Sequence, residues 1–119
     1  MARRFDNAEA SRWLGIDLAI DEALADPAEV GVAGFTSPKA WRALIYLVTR
    51  PAAEALYAEV LAHCRVPQST LARLLRELEQ VRYVTRTFEG ANHEVLLKAT
   101  TDGRDAVGKI FFHASKLDI

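Results

Sequence analysis

Cys64 is the one cysteine in 119 residues. That excludes an internal disulfide framework and any multi-cysteine metal site, and it suits a reducing cytoplasm. Long hydrophobic runs are missing too. The longest unbroken apolar stretch is 43–48, far short of the roughly 20 residues that cross a bilayer. At the N-terminus, Asp6 and Glu9 interrupt any apolar segment, so the start does not read as a signal peptide. No Gly-rich phosphate loop and no Gly-x-Ser-x-Gly is present. His63, His93 and His113 are scattered, and no His/Cys/Asp/Glu spacing matches a zinc motif. The expectation is a protein with no catalysis, no metal and no cofactor. Glycine is scarce, with six residues against twenty alanines, which favours helices over strands.

Net charge is also nearly absent, at -1. It is unevenly spread. Residues 1–37 hold three basic and seven acidic side chains, a balance of -4. Residues 38–119 hold twelve basic and nine acidic ones, a balance of +3. The stretch 63–88 alone has five arginines and two glutamates. Such asymmetry marks either a nucleic-acid surface or a solvated face with ordinary ion pairs. Half the residues are hydrophobic, enough for one modest core in a single folded unit.

Along the chain, Asp6 with Glu9 makes a capping-box-like start to a first helix that ends near Ala25, before Pro27. Trp13, Ile16, Ile20 and Leu24 form its stripe, and Leu14 and Leu18 widen it. Ser37 and Pro38 open a helix through Thr49. Pro51 is expected to open another helix, with Leu56, Val60, Leu61 and Cys64 inward. A strongly amphipathic helix covers 68–81. Two short strands, 82–89 and 93–99, flank a turn at Gly90-Ala91-Asn92. Thr100 or Thr101 caps a last helix with Val107, Ile110, Phe111, Ala114 and Leu117 on one stripe. Trp41, Tyr46 and Trp13 are expected in the core.

The helix 68–81 carries the chemistry. At 100° per residue, Leu71, Leu74, Leu75, Leu78 and Val81 share one sector. Ser69, Arg73, Arg76 and Gln80 fall almost opposite. Arginine reads guanine edges or grips phosphate, and Gln and Ser reach base edges or phosphate oxygens. Short helix, tight turn, second helix and hairpin make a helix-turn-helix with a wing.

The run Leu78-Glu79-Gln80-Val81-Arg82-Tyr83-Val84-Thr85-Arg86 resembles the Leu-Glu-x-x-Gly-Tyr/Leu-Val-x-Arg signature of MarR-type winged-helix regulators. Leu97-Lys98-Ala99-Thr100-Thr101-Asp102-Gly103-Arg104 is similar to the family's Leu-Thr-x-x-Gly-Arg, with one residue inserted. The likeness spans about 36–117. It identifies the winged helix better than the subfamily, and PadR-type and archaeal winged-helix regulators stay open as alternatives. Two departures stand out. Arg82 replaces the glycine that usually ends the helix in a left-handed conformation. Gly90, Ala91, Asn92 and His93 replace the acidic and double-arginine wing tip.

The expected fold is therefore mainly α with a small β-hairpin wing. Residues 1–35 form a dimerisation helix and connection, 36–101 the winged helix-turn-helix, and 102–119 a second dimerisation helix. The resemblance implies a cytoplasmic homodimer that binds a pseudo-palindromic duplex operator, as a repressor released by a small-molecule effector. Gln68, Ser69, Thr70, Arg73, Arg76 and Gln80 are the expected major-groove contacts. Arg82, Arg86, Asn92, His93 and Lys98 are expected near phosphate or the minor groove. Trp13, Leu14, Ile16, Leu18, Ile20, Ile110, Phe111, Phe112 and Leu117 are the expected dimer contacts. Two other classes fit the same residues: a winged-helix module that binds protein, and a DNA-organising, plasmid or phage protein without an effector.

Overall fold

A computed structural model describes residues 7–35, 37–89 and 94–117. In chain order its elements are α1 (Asn7–Ala25), α2 (Pro27–Val30), α3 (Pro38–Thr49), β1 (Glu54–Leu56), α4 (Tyr57–Cys64), α5 (Gln68–Gln80), β2 (Val84–Glu89), β3 (Glu94–Ala99) and α6 (Thr101–Lys116). Asp6 and the Gly90-Ala91-Asn92 turn lie outside the described residues. No described helix is long and apolar enough to cross a membrane.

Local signals set most helix starts. Ser37 is extended at φ -145°, and its hydroxyl accepts from the Lys39 amide at 3.2 Å. Pro38 follows at the first helical position, where its missing N–H costs nothing. Asp26 caps α2 in the same way, and Gly31 ends it in the left-handed region at φ 85°. Thr100, and not Thr101, caps α6: its hydroxyl accepts from the Gly103 amide at 3.0 Å.

Residues 51–56 depart from the expected helix. Pro51–Ala53 form a single 3-10 turn, in which Ala52 and Ala53 take positive φ values of 56° and 54°. That conformation cannot propagate a right-handed helix. The chain leaves it extended, and Leu56 is in β1 and not on a helix face. β1 pairs antiparallel with β3, Glu54 opposite Lys98 and Leu56 opposite Leu96. The sheet is therefore three-stranded, in the order β1-β3-β2, and not a lone hairpin. The third strand gives the wing a fixed root, since an isolated two-stranded hairpin is marginal in water.

One core joins the sheet to the helices. Trp41, Leu44 and Leu47 of α3 meet Leu71, Leu74, Leu75 and Leu78 of α5, with Val60, Leu97 and Ile110 around them. Each such side chain contributes roughly 1.5–3 kcal/mol on burial. Phe35 packs edge-on against both Trp41 and Tyr83, with centroid distances of 5.0 Å and 5.9 Å, and Tyr83 lies tilted against Trp41 at 6.3 Å. The Tyr83 hydroxyl accepts from the Ala33 amide at 3.0 Å, which ties the α2–α3 connection to the base of the wing.

α1 lies along α6 and touches α3. Here the sequence stripe needs correcting. Ile20 and Ile110 are 2% and 0% exposed, inside the protomer's own core, so neither is available as a dimer contact. Ile16 and Leu117 are half-buried against the same core. Trp13 is 59% exposed and is no core residue; Tyr46 is half-buried. Leu14, Leu18, Phe111 and Phe112 are exposed like Trp13.

Candidate nucleic-acid interface

The turn between α4 and α5 is short because Arg65 caps α4 in the left-handed region, at φ 53°. Val66 and Pro67 then lead into α5. The Tyr57 hydroxyl donates to the Gln68 carbonyl at 3.4 Å, linking the first turns of the two helices. With its four leucines buried, α5 turns the opposite face outward. Gln68, Ser69, Arg73, Arg76 and Gln80 are exposed, and Thr70 is half-buried. These six side chains share one helix and lie on its solvent side.

The end of α5 is a Schellman motif. The Tyr83 amide donates to the Leu78 carbonyl at 2.9 Å, and the Arg82 amide to the Glu79 carbonyl at 3.0 Å. Arg82 sits at the left-handed position with φ 62°, the conformation glycine usually supplies. The strand consequently begins at Val84 and not at Arg82. Thr100 fastens this end to α6: its amide donates to the Tyr83 carbonyl at 2.9 Å and its hydroxyl to the Arg82 carbonyl at 2.6 Å. Arg82 itself is exposed.

Strand register sorts the wing residues. Val84, Arg86 and Phe88 of β2 stand opposite Ala99, Leu97 and Val95 of β3. Val84, Leu97 and Ala99 are buried, so this face looks toward the helices. Arg86 is on it and is held by Glu79 of α5, its Nε donating to Oε1 at 3.0 Å and its Nη2 to the same oxygen. Arg86 is thus not the unpaired wing cation that the sequence suggests. Lys98 is exposed on the other face, with Glu54 and Thr85 as its cross-strand neighbours. Asn92 and His93 lie outside the described residues. Phe88, 68% exposed near the end of β2, escaped sequence reasoning because alternation alone places it inward.

A second feature was invisible in the sequence. A cavity of about 520 Å³ opens between α1, α3, α4 and α6, with Trp13, Ile16, Arg42, Tyr46, His63 and Phe111 among its walls. Tyr46 and His63 stack in parallel, with centroids 3.9 Å apart, and the Arg50 guanidinium lies 5.6 Å from the Tyr46 ring. Asp17 and Arg42 approach to 3.5 Å at its mouth. Among the described residues no three His, Cys, Asp or Glu side chains gather as a metal site. Cys64 is half-buried, and burial raises its thiol pKa above the ordinary value.

No protein-family model matches the sequence, and no curated protein matches it. Solved structures do. AbsC, a MarR family transcriptional regulator from Streptomyces coelicolor, superposes with a TM-score of 0.66 at 15% identity, over 96% of this chain and 78% of AbsC. A second MarR family regulator from Streptomyces coelicolor, solved in complex with DNA, gives 0.65 at 15% identity, over 97% and 76%. NadR, solved in complex with 4-hydroxyphenylacetate, gives 0.62 at 14% identity, over 98% and 79%. The three-stranded winged sheet, the helix-turn-helix at its side and the flanking first and last helices together make this chain a MarR-type winged-helix fold.

Proposed function

We propose that the protein is a sequence-specific duplex-DNA-binding transcriptional regulator without catalytic activity. One observation carries this reading: α5 buries four leucines and turns Ser69, Arg73, Arg76 and Gln80 to solvent, on a winged-helix fold. Arg73 and Arg76 supply guanine or phosphate contacts, and Gln68, Ser69, Thr70 and Gln80 supply hydrogen bonds at the groove. Arg82 and Lys98 serve the flanking phosphates. Asn92 and His93 are assigned from the sequence alone to phosphate or minor-groove contact.

The exposed Trp13, Leu14, Leu18, Phe111 and Phe112 form the dimer surface of α1 and α6. A twofold dimer would set two α5 helices about one DNA turn apart, matching a pseudo-palindromic operator. The cavity beside Tyr46 and His63 is the effector site, and repression is the expected sign of regulation. A DNA complex and a small-molecule complex among the similar structures support the two halves of this reading. The compartment is the cytoplasm.

The test is fluorescence anisotropy on duplex DNA from the protein's own upstream region, across a salt series. The wild type is expected to bind, and Arg73→Ala/Arg76→Ala to lose binding. The log affinity should fall with log salt by roughly 0.9 per phosphate contact. If neither protein binds this DNA or a genomic fragment pool at low salt, the α5 face is a solvated surface. A protein partner then takes the place of DNA.

A further inference from the structure

Two elements with different tasks on DNA are joined by one ion pair. Glu79 lies on the flank of α5 that faces the wing, and Arg86 lies on the inner face of β2. Nε and Nη2 of Arg86 converge on the same carboxylate oxygen of Glu79. Both side chains are 34% exposed. The pair is therefore neither a loose surface contact nor a buried one, and solvent or a phosphate can reach it. Beside it, Arg76 and Gln80 are exposed on the neighbouring face of the same helix.

Sequence-independent attraction to DNA comes from cations that displace counterions at phosphates. A guanidinium offset by a carboxylate adds little to it. Arg86 can grip a phosphate only by leaving Glu79, and then that carboxylate stands bare beside the polyanion. The net charge that this flank brings to the backbone is zero in either arrangement.

We infer that Glu79 is a selectivity-setting, positioning residue: it holds Arg86 off the phosphate backbone of duplex DNA, so that binding depends on the α5 face. The inference rests on the DNA-binding reading above. Removing the carboxylate converts the flank from neutral to cationic. Affinity for any duplex then rises, and discrimination between operator and bulk DNA falls.

The experiment measures binding to a random-sequence duplex across a salt series for the full chain. It compares wild type, Glu79→Gln, Arg86→Ala and Glu79→Gln/Arg86→Ala. Glu79→Gln is expected to bind severalfold more tightly and to steepen the log–log salt slope by roughly 0.9, one added phosphate contact. Arg86→Ala alone should move the slope much less. The double variant should return to the wild-type slope. Two outcomes overturn the inference. In one, Arg86→Ala flattens the slope by a full contact while Glu79→Gln hardly moves it, so Arg86 already reaches phosphate. In the other, the steepening persists in the double variant, so the Glu79 charge acts without Arg86. A wild type that binds no duplex at low salt sinks the DNA reading itself, a result distinct from a binding wild type without coupling between the two residues. Circular dichroism melts of all four proteins separate these effects from a loss of fold.

Discussion

Gly103 lies directly against the carbonyl oxygen of Tyr83. A Cβ built on Gly103 would meet that oxygen well inside van der Waals contact, and would press on the Tyr83 carbonyl carbon at 3.1 Å and Cα at 3.2 Å. Both obstacles are backbone, so neither can swing away. The close approach lets Thr100 cap α6 while it binds the end of α5. Gly103→Ala is therefore expected to destabilise the fold by about 2 kcal/mol, in the range of overpacking changes. For a domain of this size that lowers the thermal midpoint by roughly 10 °C. A calorimetric midpoint unchanged within a degree would show that α6 slides away from Tyr83 at little cost.

Arg82 at φ 62° offers the opposite sign. A left-handed conformation costs a residue with a Cβ roughly 1–2 kcal/mol. Glycine avoids that strain but loses more chain entropy on folding, about 0.5–1 kcal/mol. Arg82→Gly should then raise unfolding free energy by about 0.5–1 kcal/mol. It also deletes an exposed cation beside the proposed DNA face, so the salt slope of DNA binding should flatten. Urea midpoints and anisotropy titrations on the same samples read both effects. A lower midpoint would mean that the Arg82 side chain contributes more than its backbone strain costs.

Arg82 also shows why parts of this fold are legible in sequence and others are not. Signals that act within a turn or two survive unaltered. Ser37-Pro38 opens α3, the leucine period draws α5, and Thr100 starts α6. β1 left no such trace. Its three residues are extended because a left-handed turn at Ala52 and Ala53 aims them at β3, some forty positions later. Periodicity likewise gave α1 a stripe without saying what covers it. Ile20 went to the protomer's own core, and Trp13 stayed outside. The Glu79–Arg86 pair spans a helix end whose geometry no spacing rule encodes. The cavity beside Tyr46 needs four helices, each contributing one or a few walls.

Trp13 and Phe112 are 59% and 62% exposed, and Leu14, Leu18 and Phe111 are further exposed apolar side chains on α1 and α6. Single exposed apolar residues are ordinary, but large contiguous patches mark an interface. The chain is expected to run at twice its 13.2 kDa in light scattering at micromolar concentration. Trp13→Ser/Phe112→Ser should shift it to the single mass with little loss of helical signal, because neither side chain belongs to the core. DNA affinity should fall with the dimer. A wild type that scatters as a lone chain would overturn the twofold arrangement.

Cys64 gives a pH dependence with a definite sign. Burial disfavours its thiolate, so the folded-state pKa lies above the ordinary value of 9.0. Between the unfolded and folded pKa values the native state holds more protons than the unfolded chain. Stability then falls as pH rises through that window, and below pH 9 the thiol contributes no slope. Nucleophilic reactivity follows the same shift, because the thiolate is the reacting form. At neutral pH the native thiol should react with a chromogenic disulfide reagent more slowly than the urea-unfolded chain, and Cys64→Ser should remove the reaction altogether. Rapid modification of the folded protein at neutral pH would contradict the desolvated thiol and would turn Cys64 into a candidate redox sensor.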